Sequence, residues 1–100
     1  MKLAVSRLAK DDLKEIHGYL SEFGEGPPGK FRESFEKFCV QVTKVPCSFS
    51  RYEHSPNYRK AVIAFGYLIF YRVEKAEKTE GEVKIYRVLH GKRSVGHLVL

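Results

Sequence analysis

The segment IYRVLHGKRS, Ile85 to Ser94, begins as a strand and ends as a basic corner. Ile85, Val88 and Leu89 are the branched residues of a buried β-strand. A histidine, a glycine and two adjacent cations follow: His90, Gly91, Lys92 and Arg93. A strand this late in the chain needs partners, and the residues before it supply them. "YLIFYRV" (Tyr67–Val73) and "AVIAF" (Ala61–Phe65) are β-type runs, with Gly66 between them as a tight turn or bulge. "EKAEKTEGE" is the polar connection to the last strand. Further back, "CSFSRYEHSPNYRK" reads as a short strand or irregular segment with a turn around Pro56.

The first half has a different period. "MKLAVSR" alternates, with Leu3 and Val5 on one face, and reads as a short strand. Leu13, Ile16, Leu20 and Phe23 then recur at helical spacing with charges between them. Asp11 and Asp12 fall early in that helix, where its dipole favours anions. Gly24 is the expected terminator, and "EGPPGK" reads as the clearest turn in the chain. Phe31, Phe35, Phe38, Val42 and Val45 form the stripe of a second helix, which Pro46 ends. Two amphipathic helices joined by a short loop make an antiparallel hairpin. The expected fold is α+β: a two-helix hairpin packed on a small antiparallel sheet, in the order β-α-α-β-β-β.

One hundred residues are the size of one domain, and residues 1–100 show no repeat or boundary. Hydrophobic residues make up 43% and charged residues 30%, a balance that suits a folded globular protein rather than a disordered one. No apolar run approaches the roughly 20 residues of a membrane helix, so no membrane association is expected. The N-terminus has no apolar stretch long enough for a signal peptide, which points to the cytoplasm. Cys39 and Cys47 fit no metal or redox spacing, and in that compartment they are expected as free thiols.

The net charge of +6 is unevenly placed. Residues 1–50 carry eight basic and seven acidic side chains, whereas residues 51–100 carry ten and five. A one-sided basic surface attracts polyanions, nucleic acid or an acidic protein. No nucleotide loop, zinc pattern or nucleophile elbow is present. His17, His54, His90 and His97 lack ligand spacing, so neither a metal nor a cofactor is expected. What remains is a set of cations near strand ends: Arg59, Lys60, Arg72, Arg87, Lys92 and Arg93, with His90 among them. Guanidinium forks match phosphate oxygens, and a histidine beside them supplies an acid or base. The plainer reading stays open. By strict alternation Arg87 shares a face with Ile85 and Leu89, as a paired structural arginine would, and His90 shares one with Tyr86 and Val88.

The order strand, helix hairpin, three strands, with "IYRVLHGKR" near the end, resembles the ParE/RelE toxin superfamily of bacterial toxin–antitoxin modules. "AKDDLKEIHGYL" resembles its first-helix pattern, and "YLIFYRV" its central strand. "IYRVLHGKR" resembles the ending of the ParE branch, Ile-x-Arg-Val-x-His-Gly-x-Arg. The resemblance covers almost the whole chain. It implies a cognate antitoxin whose C-terminal segment wraps the toxin, and it leaves two activities. The ParE-like branch is associated with poisoning DNA gyrase and has no established catalytic residues. The RelE-like branch cleaves ribosome-bound mRNA. In that branch a basic residue commonly follows the Gly-Tyr of the central strand; here Leu68 follows Gly66 and Tyr67. The ParE-like activity is therefore the expectation, with Arg59, Lys60, Arg72, Arg87, His90, Lys92 and Arg93 as contacts to target or antitoxin. If the chain is an mRNA endoribonuclease instead, Arg59, Arg72, His90 and Arg93 are its candidate catalytic residues. A non-toxic relic of the family is the third reading.

Overall fold

Residues 1–74 and 81–92 are described by the computed structural model of the chain. Strand β1 (Lys2–Val5) leads into helix α1 (Arg7–Ser21), and Ser6 makes the join. Its N–H donates to the Ile85 carbonyl at 2.9 Å, while its Oγ accepts from the Ala9 N–H at 3.1 Å and donates to the Tyr86 carbonyl at 2.7 Å. One side chain thus caps the helix and ties it to the last strand. Because α1 opens at Arg7, Asp11 and Asp12 lie beyond its first turn, too far along to answer the orphan N–H groups. Past the helix, Gly24 adopts a φ of 106°, a left-handed turn that glycine takes without strain.

Helix α2 spans Gly26–Lys44. "EGPPGK", expected as a turn, is mostly its first turn. Proline is at home there, because the N–H groups of that turn have no helical partner anyway. Phe31, Phe38 and Val42 are buried and Phe35 half-buried, as the stripe requires, but Val45 lies past the helix end and is exposed.

Strand β2 (Arg51–Tyr52) turns through Glu53 and His54 into β3 (Ser55–Val62). The turn lies before Pro56, not around it. Pro56 sits near the start of β3 beside a register irregularity, where its missing N–H breaks no ladder bond. β3 ends at Val62, earlier than the "AVIAF" pattern implies. A short 3-10 turn (Ala64–Gly66) follows, with the Ala64 N–H held by Ser34 Oγ at 3.0 Å. Strands β4 (Tyr67–Glu74) and β5 (Glu82–His90) complete the sheet.

The strand order is β1-β5-β4-β3-β2. Three antiparallel pairings carry the chain from β2 to β5, and β1 then pairs with β5 in parallel. The α+β hairpin-on-sheet architecture is as expected; the sheet is mixed, with this one parallel edge. Both helices cover one face. Ala61, Ile69, Tyr71, Val83, Ile85 and Val88 meet Ile16, Leu20, Phe31, Phe38 and Val42 there. The other face has its own small cluster of Tyr52, Tyr58 and Phe70, flanked by Leu68, Tyr86 and Leu89.

Strict alternation fails once in β5. Phe70 pairs with Arg87 and Tyr71 with Ile85, leaving Tyr86 as the extra residue of a bulge. Ile85 and Val88, three apart, therefore both face the helices, and Leu89 packs on the outer face with Tyr86. The face sharing read from alternation for Arg87 with Ile85, and for His90 with Tyr86, is corrected by this bulge, which lies between the members of each pair.

Two weakly acidic groups, Tyr71 in the core and the half-buried Cys39 packed against it, titrate late. Burial pushes the Cys39 thiol from 9.0 to about 11, with Glu36 adding to it. Burial likewise pushes the Tyr71 phenol, which donates to the Pro46 carbonyl at 2.8 Å, from 10.0 to about 12. Both groups hold their protons more tightly folded than unfolded. Their contribution is full below pH 9.0 and is lost as pH rises towards about 11 for Cys39 and about 12 for Tyr71. Urea unfolding midpoints are expected to fall steadily above pH 9.0, and the slope to shrink in Cys39→Ala. A midpoint unchanged up to pH 11 would contradict the assignment.

Candidate functional site

The described basic residues singled out in the sequence occupy four separate places. Arg87, displaced by the bulge, reaches α1 instead of either sheet face. Its Nε donates to Asp12 Oδ2 at 2.8 Å and its Nη2 to Asp12 Oδ1 at 3.0 Å. The Val88 N–H donates to the same Oδ2 at 3.0 Å. Asp12 is 7% exposed, and the bidentate pair is among the stronger hydrogen-bonded contacts a protein can make. Hydrogen bonding to Asp12 pushes the Arg87 pKa further up. Sequence reading missed Asp12. The signal was there, since Asp12, Ile16 and Leu20 share the buried helix face at i, i+4 spacing.

The outer sheet face carries a second group. The Arg72 guanidinium lies 5.6 Å from the Tyr58 ring and 5.5 Å from the Tyr86 ring. Its Nη2 donates to Glu74 Oε1 at 2.7 Å, and the Tyr86 hydroxyl donates to the same oxygen at 2.9 Å. The hydrogen bond from Arg72, with that from Tyr86, lowers the Glu74 pKa. Lys84 Nζ sits 5.3 Å over Tyr86 and Lys60 Nζ 5.7 Å over Tyr52. Cation–π contact and long aliphatic stems let these cations cover aromatic surface while their charges stay wet. Lys84 was not singled out in the sequence, though it is the register partner of Arg72.

His90 marks the third place, where β5 ends. Its Nδ1 accepts the Lys92 N–H at 3.2 Å, and its ring stands edge-on to Tyr67 at 5.1 Å. Gly91 donates to the Gly66 carbonyl at 2.9 Å, and a Cβ at Gly91 would lie 3.1 Å from that oxygen. Any larger residue would press on that carbonyl, so glycine eases so close a backbone approach. His90 and Tyr67 line a cavity of about 310 Å³ with Asp12, Glu15 and Tyr19. They also line a second, of about 250 Å³, with Phe23 and Phe65. Around it Tyr19, Phe23 and Phe65 are 55%, 62% and 44% exposed, an apolar rim on the hairpin side. Lys92 is exposed beside His90, and Arg93 lies outside the described residues.

Arg59 belongs with neither Arg72 nor His90. Its register partner Tyr71 faces the helices, and its Nη1 donates to the Phe49 carbonyl at 2.7 Å. Arg72 is on the opposite face. His90 pairs with Tyr67, five positions along β4 from Arg72, about 16 Å at the rise of a strand. One phosphate cannot touch Arg59, Arg72 and His90 together. Among the described residues no cluster of three metal-ligating side chains stands together, and no helix is long and apolar enough to cross a membrane.

The family model described as ParE toxin of type II toxin-antitoxin system, parDE, matches residues 3–95. Two solved structures are similar to the chain. One, from the chromosomal ParDE TA system of P. aeruginosa, aligns with TM-score 0.61 and 20% identity over 90% of this chain and 95% of its own. The other, a YoeB/ParE toxin from Agrobacterium tumefaciens, aligns with TM-score 0.65 and 13% identity over 90% and 98%. At these identities the likeness shows the fold. No curated protein matches.

Removing Asp12 strands a guanidinium and a buried N–H at once. Asp12→Ala is expected to cost about 3 kcal/mol in urea unfolding, the low end for a broken buried pair because the Arg87 side chain is 27% exposed. Asp12→Leu with Arg87→Met should cost less than the two single changes added, by about 1–2 kcal/mol. Simple additivity would mean that the two side chains act independently.

Proposed function

The chain belongs to the ParE toxin family of type II toxin–antitoxin systems, and on that premise we propose that it acts in the cytoplasm as an inhibitor of DNA gyrase, held in check by its cognate antitoxin. The observation that carries this reading is the separation of Arg59, Arg72 and His90. RNA cleavage through the 2′-hydroxyl needs an acid, a base and cations around one phosphate, and losing one such cation costs about a hundredfold or more in rate. Leu68, where the nuclease branch places a cation, packs instead against the outer cluster of Tyr52, Tyr58 and Phe70.

A gripping surface makes smaller demands. Lys60, Arg72 and Lys84 stand over tyrosines on the outer face, and Lys92 projects from the corner after β5. Aromatic and arginine side chains are the usual anchors of protein interfaces. Arg87 supports this surface through Asp12 rather than touching the target. The antitoxin is assigned the exposed apolar rim of Tyr19, Phe23 and Phe65, together with part of the basic face. An acidic, amphipathic segment that folds on binding suits both.

Supercoiling by purified gyrase is expected to stop at an excess of this protein and to recover when the product of the adjacent reading frame is added. Lys60→Glu with Lys92→Glu should weaken inhibition about tenfold or more at unchanged melting temperature, because charge reversal at an interface rim acts on association. New mRNA cuts on translating ribosomes, with gyrase unaffected, would move the chain to the RelE-like activity. Expression that leaves growth untouched without the antitoxin would make it a relic.

A further inference from the structure

Arg51 and Arg59 are register partners on β2 and β3 at the outer edge of the sheet. Like charges directly opposite each other destabilise a strand pair unless something neutralises them. Among the described residues neither arginine has a carboxylate partner. Arg59 is oriented by its 2.7 Å bond from Nη1 to the Phe49 carbonyl, which fixes the plane of the guanidinium and leaves its other donors unused. Beside the pair is a cavity of about 470 Å³, lined by Cys47, Arg51, Pro56, Asn57, Arg59 and Val73. None of the described lining residues is acidic. Asn57 adds an amide to the two guanidinium forks, and Pro56 and Val73 supply apolar wall.

We propose that this edge cavity binds the phosphate of a phosphorylated small molecule of nucleotide size. One fork already fills a planar carboxylate bidentately, whereas the three terminal oxygens of a phosphate monoester, in different planes, leave positions for a second fork and an amide. The volume falls within the usual range of small-molecule sites and exceeds a bare phosphate, leaving room for the remainder of the ligand against Pro56 and Val73. An extended polyanion fits less well. It needs a stripe of cations, and the next ones along the strands, Lys60 and Arg72, lie over tyrosines of the outer face. Arg59, paired with the inward-facing Tyr71, is on the helix side of the sheet and far from His90, so the site is separate from both the outer face and the corner assigned to gyrase.

The cavity contains its own reporter. Cys47 is exposed, whereas burial pushes the Cys39 thiol up to about 11 and keeps it unreactive at neutral pH. The test is the iodoacetamide alkylation rate of Cys47 in the full chain at pH 7.5. The probes are inorganic phosphate, a nucleoside monophosphate, a single-stranded oligonucleotide, an oligoglutamate peptide, and potassium chloride at matched ionic strength. Phosphate or the monophosphate should slow alkylation about tenfold at ten times its Kd, and protection should vanish in Arg51→Gln and in Arg59→Gln. Among the described residues the Arg51 side chain makes no hydrogen bond or ion pair, so R51Q tests the site even if R59Q loosens β3. Equal protection by chloride, or by the oligonucleotide or the peptide alone, overturns the proposal, as does an unchanged rate with every probe. Gyrase inhibition is not part of the readout, so the two proposals fail independently.

Discussion

The carboxylate of Asp12 holds three N–H groups of β5, two from Arg87 and one from the Val88 backbone. That contact is needed because β5 is irregular. Its bulge turns Ile85 and Val88 to the same side and pushes Arg87 off the alternation, next to α1. A free guanidinium there would sit against the apolar flank of the helix. A buried ion pair seldom adds much net stability, since desolvating two charges offsets their attraction. Its effect here is on geometry. It sets where α1 crosses the sheet and which residues of β5 face inward. Ser6, bonded to both Ile85 and Tyr86, fixes the same strand from the start of α1, so the bulge is held on both sides.

Arg72 is absorbed in a similar way. Glu74 and two tyrosine rings surround it on the outer face, where a loose arginine would otherwise sample many rotamers. The arrangement presents a charge in one fixed position without an active-site cleft around it. A surface that must recognise a large partner gains from such pre-organisation, because less side-chain entropy is lost on binding. Arg72 and Arg87, equivalent in sequence as the arginine before a valine, thus end in opposite roles. Arg72 lies over tyrosines of the outer face, whereas Arg87 ties β5 to α1 through Asp12.

The fold was legible where one periodicity ran unbroken. The stripes Ile16–Leu20 of α1 and Phe31–Phe38–Val42 of α2, and the run 67–73, bury the residues that their spacing singles out, while Phe23 and Val45, past the helix ends, are exposed and the run 83–89 is broken by its bulge. It was less legible where a local exception decided the outcome. Pro27 and Pro28 read as a turn because proline ends helices, yet in a first turn it also begins them. Pro56 read as a turn because prolines are rare in sheets, yet beside the β2–β3 irregularity it fits. The site residues were legible as types and not as a constellation. Arg59, Arg72 and His90 look close when strand ends are counted, but register and face separate them, and both are properties of pairing.

The corner after β5 depends on a further constraint, carried by another segment. Phe65, at φ 62°, is a non-glycine residue in the left-handed region, followed by Gly66 at 76°. Such a conformation costs of order 1–3 kcal/mol and persists only where its surroundings hold it. Here Ser34 holds the Ala64 N–H, the Ile63 N–H donates to the Tyr67 carbonyl, and the Gly66 carbonyl accepts from Gly91. The last of these joins the two glycines of "FGY" and "HGK" across the end of the sheet. It aligns His90 with Tyr67 and directs the chain outward at Lys92. The same turn leaves the Phe65 ring at the rim shared with Tyr19 and Phe23. The tight turn therefore couples the basic corner to the apolar rim.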